Sequence, residues 1–199
     1  MNRIRRLAVL SLFIALSGIT GLLAAQETAT VTLSLPSDFF QRACPSPLWN
    51  GLPVQWLGTT DRRPSPEVGL ESKKEGKDPI AVLAAPPPAE AFDSALRGLF
   101  EHCGMKIVPT AGWRMAATIE EFHAGVEKGL IFGKGKAKSR ITVTAESENR
   151  KLGASGGYEL EFKKTRQKSL RRLTETLNEL FAKTLEQLPK STQLRSMQP

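Results

Sequence analysis

The segment Gly133-Lys-Gly-Lys-Ala-Lys-Ser-Arg-Ile-Thr-Val-Thr-Ala-Glu146 decides the fold. Its residues separate by parity into two sets, one small or apolar and one charged or polar. The first set is Gly133, Gly135, Ala137, Ser139, Ile141, Val143 and Ala145, and the second is Lys134, Lys136, Lys138, Arg140, Thr142, Thr144 and Glu146. A period of two over this length predicts a long β-strand with one face on the core and the other in solvent.

The residues that follow predict a hairpin partner for this strand. A turn-rich stretch occupies residues 149–157, and Tyr158, Leu160 and Phe162 then alternate with charged residues. The two strands should therefore pair as an antiparallel β-hairpin. Further strands are expected on the N-terminal side, at 28–35, 54–57, 80–83, 105–108 and 113–123.

Two amphipathic helices complete the predicted elements. The first follows three prolines and ends near Gly104, and the second precedes Pro189. Their apolar stripes are Phe92, Leu96, Leu99, Phe100 and Cys103 in the first, and Leu170, Leu173, Leu177, Leu180, Phe181 and Leu188 in the second. Because each helix has one apolar stripe, both should pack on one face of a largely antiparallel sheet. The predicted fold class is α+β, in a single domain.

The amino terminus predicts export. Residues 1–25 combine a basic start, an apolar run and two small residues before Gln26, as in a cleavable secretory signal. An uncleaved membrane anchor is the alternative, and no later segment is expected to span a membrane. Removing residues 1–25 removes three arginines and no acid, so the net charge falls from +8 to +5.

The exported part is expected to have three sections. Residues 26–53 should form an extended strand and an irregular apolar segment, and residues 54–190 the α+β domain. Within the domain, residues 64–78 read as an exposed loop, and the last section, residues 191–199, reads as a flexible tail.

No set of residues predicts a catalytic or metal centre. Gly153, Ser155 and Gly157 match the nucleophile-elbow spacing of serine hydrolases, but they fall between hairpin strands, and both His102 and His123 lie upstream. The two cysteines and two histidines lack the paired spacing of zinc ligands. Glu120 and Glu121 should point to opposite faces of a strand, which argues against a carboxylate pair. We therefore expect no enzyme activity and no cofactor.

The basic row Lys134, Lys136, Lys138 and Arg140 is a possible surface for an anion or a partner. In an envelope compartment its ligands would be lipid or glycan phosphates. The simpler interpretation is a solvated strand whose charges pair with Glu159 and Glu161 on the partner strand or with Glu120. No aromatic residues interleave the row, so nucleic-acid binding is not expected.

The segment Val54-Gln-Trp-Leu-Gly-Thr-Thr-Asp61-Arg62-Arg63-Pro64, followed by Val68-Gly69, resembles the YajG family of bacterial envelope lipoproteins. The resemblance covers roughly residues 50–188, and it implies a non-enzymatic envelope protein. It also implies that Asp61 and Arg62, with Gly69 after them, form a structural turn or a partner contact. YajG proteins carry a lipid-modified cysteine directly after the signal, whereas the first cysteine here is Cys44, so a soluble periplasmic protein is favoured.

Cys44 and Cys103 are the two cysteines of the chain. Both lie in the exported part, where the compartment is oxidising, and Cys103 continues the apolar stripe of the first helix. A disulfide between them is therefore expected. The alternative is two unrelated buried thiols.

The leading functional hypothesis is a non-catalytic periplasmic accessory protein that binds an unknown component of the cell envelope. The first alternative is a binder of anionic envelope lipid or glycan through the basic row. The second is an undetected hydrolase, which requires a pocket that converges on His123 or Ser155.

Overall fold

The computed structural model describes residues 27–71, 80–126, 134–163 and 169–197. The predicted signal at 1–25 and residues 72–78 of the predicted exposed loop lie outside these ranges. The strands are β1 (Thr28–Val31), β2 (Leu52–Asp61), β3 (Gly69–Glu71), β4 (Ile80–Ala84), β5 (Met105–Ile107), β6 (Trp113–Val126), β7 (Lys134–Glu146) and β8 (Lys151–Lys163). The helices are α1 (Phe39–Ala43), α2 (Pro88–His102), α3 (Ser169–Gln187) and α4 (Thr192–Arg195), with a 3-10 turn at Leu188–Lys190.

The eight strands form one mixed sheet. Its two longest ladders, β6 with β7 and β7 with β8, are antiparallel. On the other side of β6, strand β2 runs parallel along the first half and β3 meets the second half. Strand β5 continues the sheet beyond β2, and β4 and β1 continue it beyond β3. The α+β prediction is confirmed, and the shorter ladders make the sheet more parallel than expected.

The predicted alternation along β7 is confirmed for residues 135–146. Ala137, Ile141, Val143 and Ala145 are fully buried, whereas Arg140 on the alternate face is exposed. Both predicted helices cover the buried face. Phe92 of α2 packs edge to face on Phe122 of β6 and on Phe181 of α3, with ring centroids 5.3 and 4.6 Å apart. The two helices therefore share one core with the sheet.

The N-terminal segment is more ordered than its sequence suggests. Helix α1 lies in the stretch predicted to be irregular, and Phe39 and Trp49 of this region are buried. Strand β2 is longer than the predicted 54–57. Residues 69–71 of the predicted exposed loop form β3 instead, because Val68 is buried and its N–H donates to Val82 O.

The prediction of a flexible tail is also wrong for residues 191–197, the part of the tail that the structure describes. Residues 192–195 form α4, which begins after Ser191, whose side chain accepts a hydrogen bond from Leu194 N. Leu194 and Met197 are buried, and Trp49 Nε1 donates to Leu194 O at 3.0 Å. These contacts fasten the carboxyl terminus to the N-terminal segment.

Cys44 and Cys103 form the predicted disulfide, with Cα atoms 5.6 Å apart. It joins the residue after α1 to the residue after α2. The two cysteines are 59 positions apart in the sequence, and in the chain-entropy model a bridge over this distance contributes on the order of 4 kcal/mol to stability. No helix among the described residues is long and apolar enough to cross a membrane.

The stretch 149–157 does not remain a turn as predicted, because β8 already begins at Lys151. Its glycines belong to the strand, and Gly156 is buried beneath α3. A Cβ at Gly156 would lie 2.8 Å from Thr184 O and 3.3 Å from Leu188 Cδ2. Helix α3 is also hydrogen-bonded to the sheet, because the buried hydroxyls of Thr184 in the helix and Ser139 in β7 are hydrogen-bonded to each other.

We expect Gly156→Ala to lower the free energy of unfolding by about 2 kcal/mol, because the added methyl group meets helix backbone that cannot move alone. Thermal unfolding should show a lower Tm by about 4 to 8 °C. Gly153→Ala is the matched control on the same strand, because its Cβ would meet no atom within 4 Å. Equal Tm changes in the two variants would contradict the close helix–sheet contact.

Candidate functional site: the open face of the sheet and the Asp61–Arg63 pair

One face of the β6–β7–β8 hairpin unit is covered by helices and the other, which we call the outer face, is covered by none of the described helices. Side chains point alternately to the two faces along each strand. The register of the paired strands therefore shows which residues lie on the outer face. Its described residues are Arg114, Ala116, Thr118, Glu120, Glu121 and His123 of β6, Lys136, Lys138, Arg140, Thr142 and Thr144 of β7, and Lys151, Gly153, Ser155, Gly157, Glu159 and Glu161 of β8.

Lys136, Lys138 and Arg140 of the basic row lie on this outer face, between carboxylates. Arg140 Nη2 is 3.2 Å from Glu121 Oε1, and Arg140 Nε is 3.8 Å from Glu120 Oε2. Lys138 Nζ is 3.9 Å from Glu121 Oε2, and Glu159 stands opposite Lys138 in the β7–β8 register. Lys136 stands opposite Glu161 in the same register. The row is therefore charge-compensated rather than bare, although each exposed pair contributes little to stability.

The two carboxylates beside Arg140 reach it together because β6 contains a bulge. The register of β6 against β7 shifts between Ile119 and Glu121. Ile119 and Phe122 are both buried, so the two glutamates between them lie on the outer side. The prediction that Glu120 and Glu121 face opposite ways is wrong, because an extra residue in one strand interrupts the period of two.

The other half of the outer face is rich in hydroxyl groups. Thr118, Thr142 and Ser155 occupy one row across β6, β7 and β8. Thr142 Oγ1 donates to Glu120 Oε1 at 2.9 Å and is 3.0 Å from Ser155 Oγ. Small side chains in register give a surface on which another protein could pack closely.

The residues considered for a hydrolase do not meet on this surface. Ser155 lies inside β8 rather than on a strand-to-helix turn, and it is exposed. His123 is also exposed, and it shares a row with Lys138 and Glu159, four residues from Ser155 along β8. That separation is about 13 Å, too long for a nucleophile–base hydrogen bond. Within the described ranges, no group of three His, Cys, Asp or Glu residues could hold a metal ion.

The Asp61 motif forms an ion pair at the end of β2, with Arg63 rather than Arg62. Arg63 Nη2 is 2.7 Å from Asp61 Oδ2, and Nη1 donates to the carbonyls of Glu67 and Phe122 at 3.1 Å each. The Arg63 side chain is 4% exposed, whereas Arg62 is exposed. The pair thus ties the loop after β2 to β6, and the predicted role of Arg62 shifts to its neighbour.

Electrostatics hold Asp61 in its charged form. Partial burial raises the pKa of the Asp61 carboxyl, but hydrogen bonds from the Arg63 side chain and backbone N–H, with the attraction of its charge, outweigh that effect. The net pKa of Asp61 lies below its ordinary value. The pair therefore stabilises the fold at neutral pH.

Gly69, the remaining motif residue, allows β3 to approach β6. A Cβ at this position would lie 2.9 Å from Ala124 O and 3.1 Å from Leu173 Cδ2. The two strands are joined beside it by a backbone hydrogen bond, in which Ala124 N donates to Val68 O at 2.8 Å. Gly69 is thus explained by close packing and Asp61 by its ion pair with Arg63, whereas Arg62 is exposed.

The family described as uncharacterized lipoprotein matches residues 54–197, which run from β2 to the last described residue. The chain belongs to this lipoprotein family. Membership in it indicates an exported, membrane-associated protein. The two cysteines of this family member are joined in the disulfide and are 2% and 0% exposed, so neither thiol is available to a lipid while the bridge is intact. No curated protein matches the chain.

Solved structures of low identity resemble this lipoprotein. A Xanthomonas campestris protein of the DUF330 family superposes with a TM-score of 0.52 at 13% identity, over 85% of this chain and 93% of that chain. An uncharacterized protein gives 0.47 at 12% identity over 82% and 98% of the two chains. A PelC dodecamer from Paraburkholderia phytofirmans gives 0.35 at 13% identity over 70% and 89%. The first of these supports the α+β fold.

Replacing the buried arginine should destabilise the lipoprotein. We expect Arg63→Met to lower the free energy of unfolding at pH 7 by about 2 to 4 kcal/mol, because Asp61 and two carbonyls lose their donor. Arg62→Met is the control and should change it by less than about 0.5 kcal/mol. Urea unfolding of both variants provides the measurement.

The same pair predicts a pH dependence. A depressed carboxyl pKa contributes stability that is present above the unfolded pKa of about 4 and is lost as pH falls through the folded pKa. The difference between wild type and Arg63→Met should therefore shrink in acid. A difference that stays constant from pH 7 down to full protonation of Asp61 would contradict this account.

Proposed function

We propose that the protein is a non-catalytic accessory protein of the bacterial cell envelope that works in the periplasm and binds another envelope protein through the outer face. The observation that carries the proposal is the arrangement of charge on that face. Cations of β7 alternate with carboxylates of β6 and β8, as the Arg140–Glu121 distance of 3.2 Å illustrates. Such a surface suits a protein of mixed charge and disfavours single-sign ligands.

The size of the outer face is compatible with a protein partner. Strands β7 and β8 each contain 13 residues. Three strands of this length cover about 43 by 14 Å, or roughly 600 Å², which approaches the area that one partner buries in a standard interface. The hydroxyl row around Thr142 supplies polar groups that can hydrogen-bond across such an interface.

Family membership supports the compartment. We infer that the chain is a YajG-like member of its lipoprotein family, on the basis of the segment from Val54 to Gly69 and the order of elements after it. The signal-like residues 1–25 support a periplasmic location. Because both cysteines of the sequence are in the disulfide, attachment through either of them is not part of the proposal.

The test places a photo-crosslinking amino acid at Ser155 on the outer face, in intact cells. We expect a discrete protein adduct, whereas the same amino acid at Glu175, exposed on α3, should give none at comparable yield. In parallel, changing Lys134, Lys136, Lys138 and Arg140 to Gln should not alter retention of the purified protein on anionic liposomes. Salt-sensitive retention that this change abolishes would favour the lipid-binding alternative and contradict the proposal.

A further inference from the structure

A second surface lies at the free edge of β2, away from the outer-face hairpin. Strand β5 pairs only with Leu52–Val54, and Val108 N donates to Val54 O at the end of this ladder. Residues 55–61 continue β2 without a further strand on that side among the described residues. An uncovered strand edge of this kind offers backbone N–H and C=O groups to another chain.

This edge presents an exposed apolar residue. Leu57 is 58% exposed, the highest value among the large hydrophobic residues that the structure describes. It lies in a bulge, where the register of β2 against β6 shifts between Trp56 and Thr59 and Gly58 has φ of +106°. Bulges often redirect a side chain, and here the result is an exposed leucine beside open backbone.

A cleft of about 530 Å³ runs between this edge and α2. Its wall is fixed, because Trp56 Nε1 donates to Asp93 Oδ1 at 2.8 Å and the Trp56 ring packs on Phe100. Thr59 Oγ1 is buried beside the cleft and has no hydrogen-bond partner in the described part of the chain. Unpaired buried hydroxyls are rare in folded proteins.

The helix side of the cleft carries two opposite charges. Glu90 and Arg97 line it, are exposed, and form no ion pair with the other described residues. They are seven residues apart on α2, about 10 Å along the helix axis. In an extended chain, side chains four residues apart lie on the same face at about 13 Å, within reach of both charges.

We propose that the β2 edge binds an extended segment of a partner protein by strand addition. The segment pairs its backbone with residues 57–61, places an apolar side chain on Leu57, and turns one acidic and one basic side chain, four residues apart, toward Arg97 and Glu90. Backbone pairing supplies affinity in this mode of recognition, and side-chain pockets supply specificity. This site is distinct from the outer face and does not depend on the function proposed for it.

The experiment places a photo-crosslinking amino acid at Leu57 in the full chain in intact cells, and maps the crosslinked partner peptide by mass spectrometry. Leu70, which is 48% exposed, is the matched control position. We expect an adduct at position 57 but not at 70, on a segment with the acidic and basic residues four apart. Arg97→Glu should lower the yield about tenfold, and changing the partner's acidic residue to Lys should restore it.

Other results would overturn the inference. These are an adduct on lipid, on a helix surface or on a second copy of the chain, or a yield that Arg97→Glu leaves unchanged. An unchanged Tm of the Arg97→Glu variant shows that the loss of adduct does not come from unfolding. The adduct at Ser155 serves as an independent readout, because it tests the outer face and should persist when the β2 edge is disrupted.

Discussion

The packing of α2 and α3 on a single face of the sheet is the contact on which the rest of the structure depends. It is concentrated in three rings, with Phe92 held between Phe122 and Phe181 at centroid distances of 5.3 and 4.6 Å. Edge-to-face contacts of this kind fix the relative positions of two helices and a strand. Because both helices pack on one face, no described helix covers the other face of β6, β7 and β8. The proposed interaction surface is thus a consequence of how the core is built.

The positions of small residues and of the disulfide follow from the same packing. Gly156 and Gly69 lie where helix or strand backbone comes too close for a side chain, since a Cβ atom would stand 2.8 and 2.9 Å from the facing carbonyl oxygens. The disulfide fastens the segment before β2 to the end of α2, and α4 closes over the same region through Trp49. At the far end of β2, Arg63 links Asp61 to β6. The outer face and the β2 edge are therefore presented on a scaffold that is held at both ends of β2.

Patterns with a strong period were readable from the sequence, and local irregularities were not. The parity of residues 133–146 predicted β7 and its two faces, and helical spacing predicted α2 and α3, because burial of one face leaves a periodic signature. The bulge that brings Glu120 and Glu121 together has no periodic signature. Its one trace in the sequence is that the apolar residues Ile119 and Phe122 are three positions apart, which breaks the period of two. Gly153 and Gly157 suggested a turn, although tertiary contact with α3 keeps their neighbours in β8.

The partner of Asp61 could not be chosen between Arg62 and Arg63, because only the path of the loop decides which arginine is buried. The length of the free edge of β2 depends on where β5 ends. The sequence of β2 gives no information about that end.

The central claim is that one face of β7 is buried by helices and the other is available to an envelope partner. Single cysteines at Ala137 and Ala145 on the inner face, and at Thr142 and Thr144 on the outer face, test it directly through their rates of labelling by a maleimide under non-reducing conditions. The account predicts slow labelling at the two alanine positions, both in purified protein and in permeabilised cells. At the two threonine positions it predicts fast labelling in purified protein and slow labelling in permeabilised cells. Equal rates at all four positions in the purified protein would contradict the described faces. Equally fast labelling of the threonine positions in cells and in purified protein would contradict a partner on the outer face.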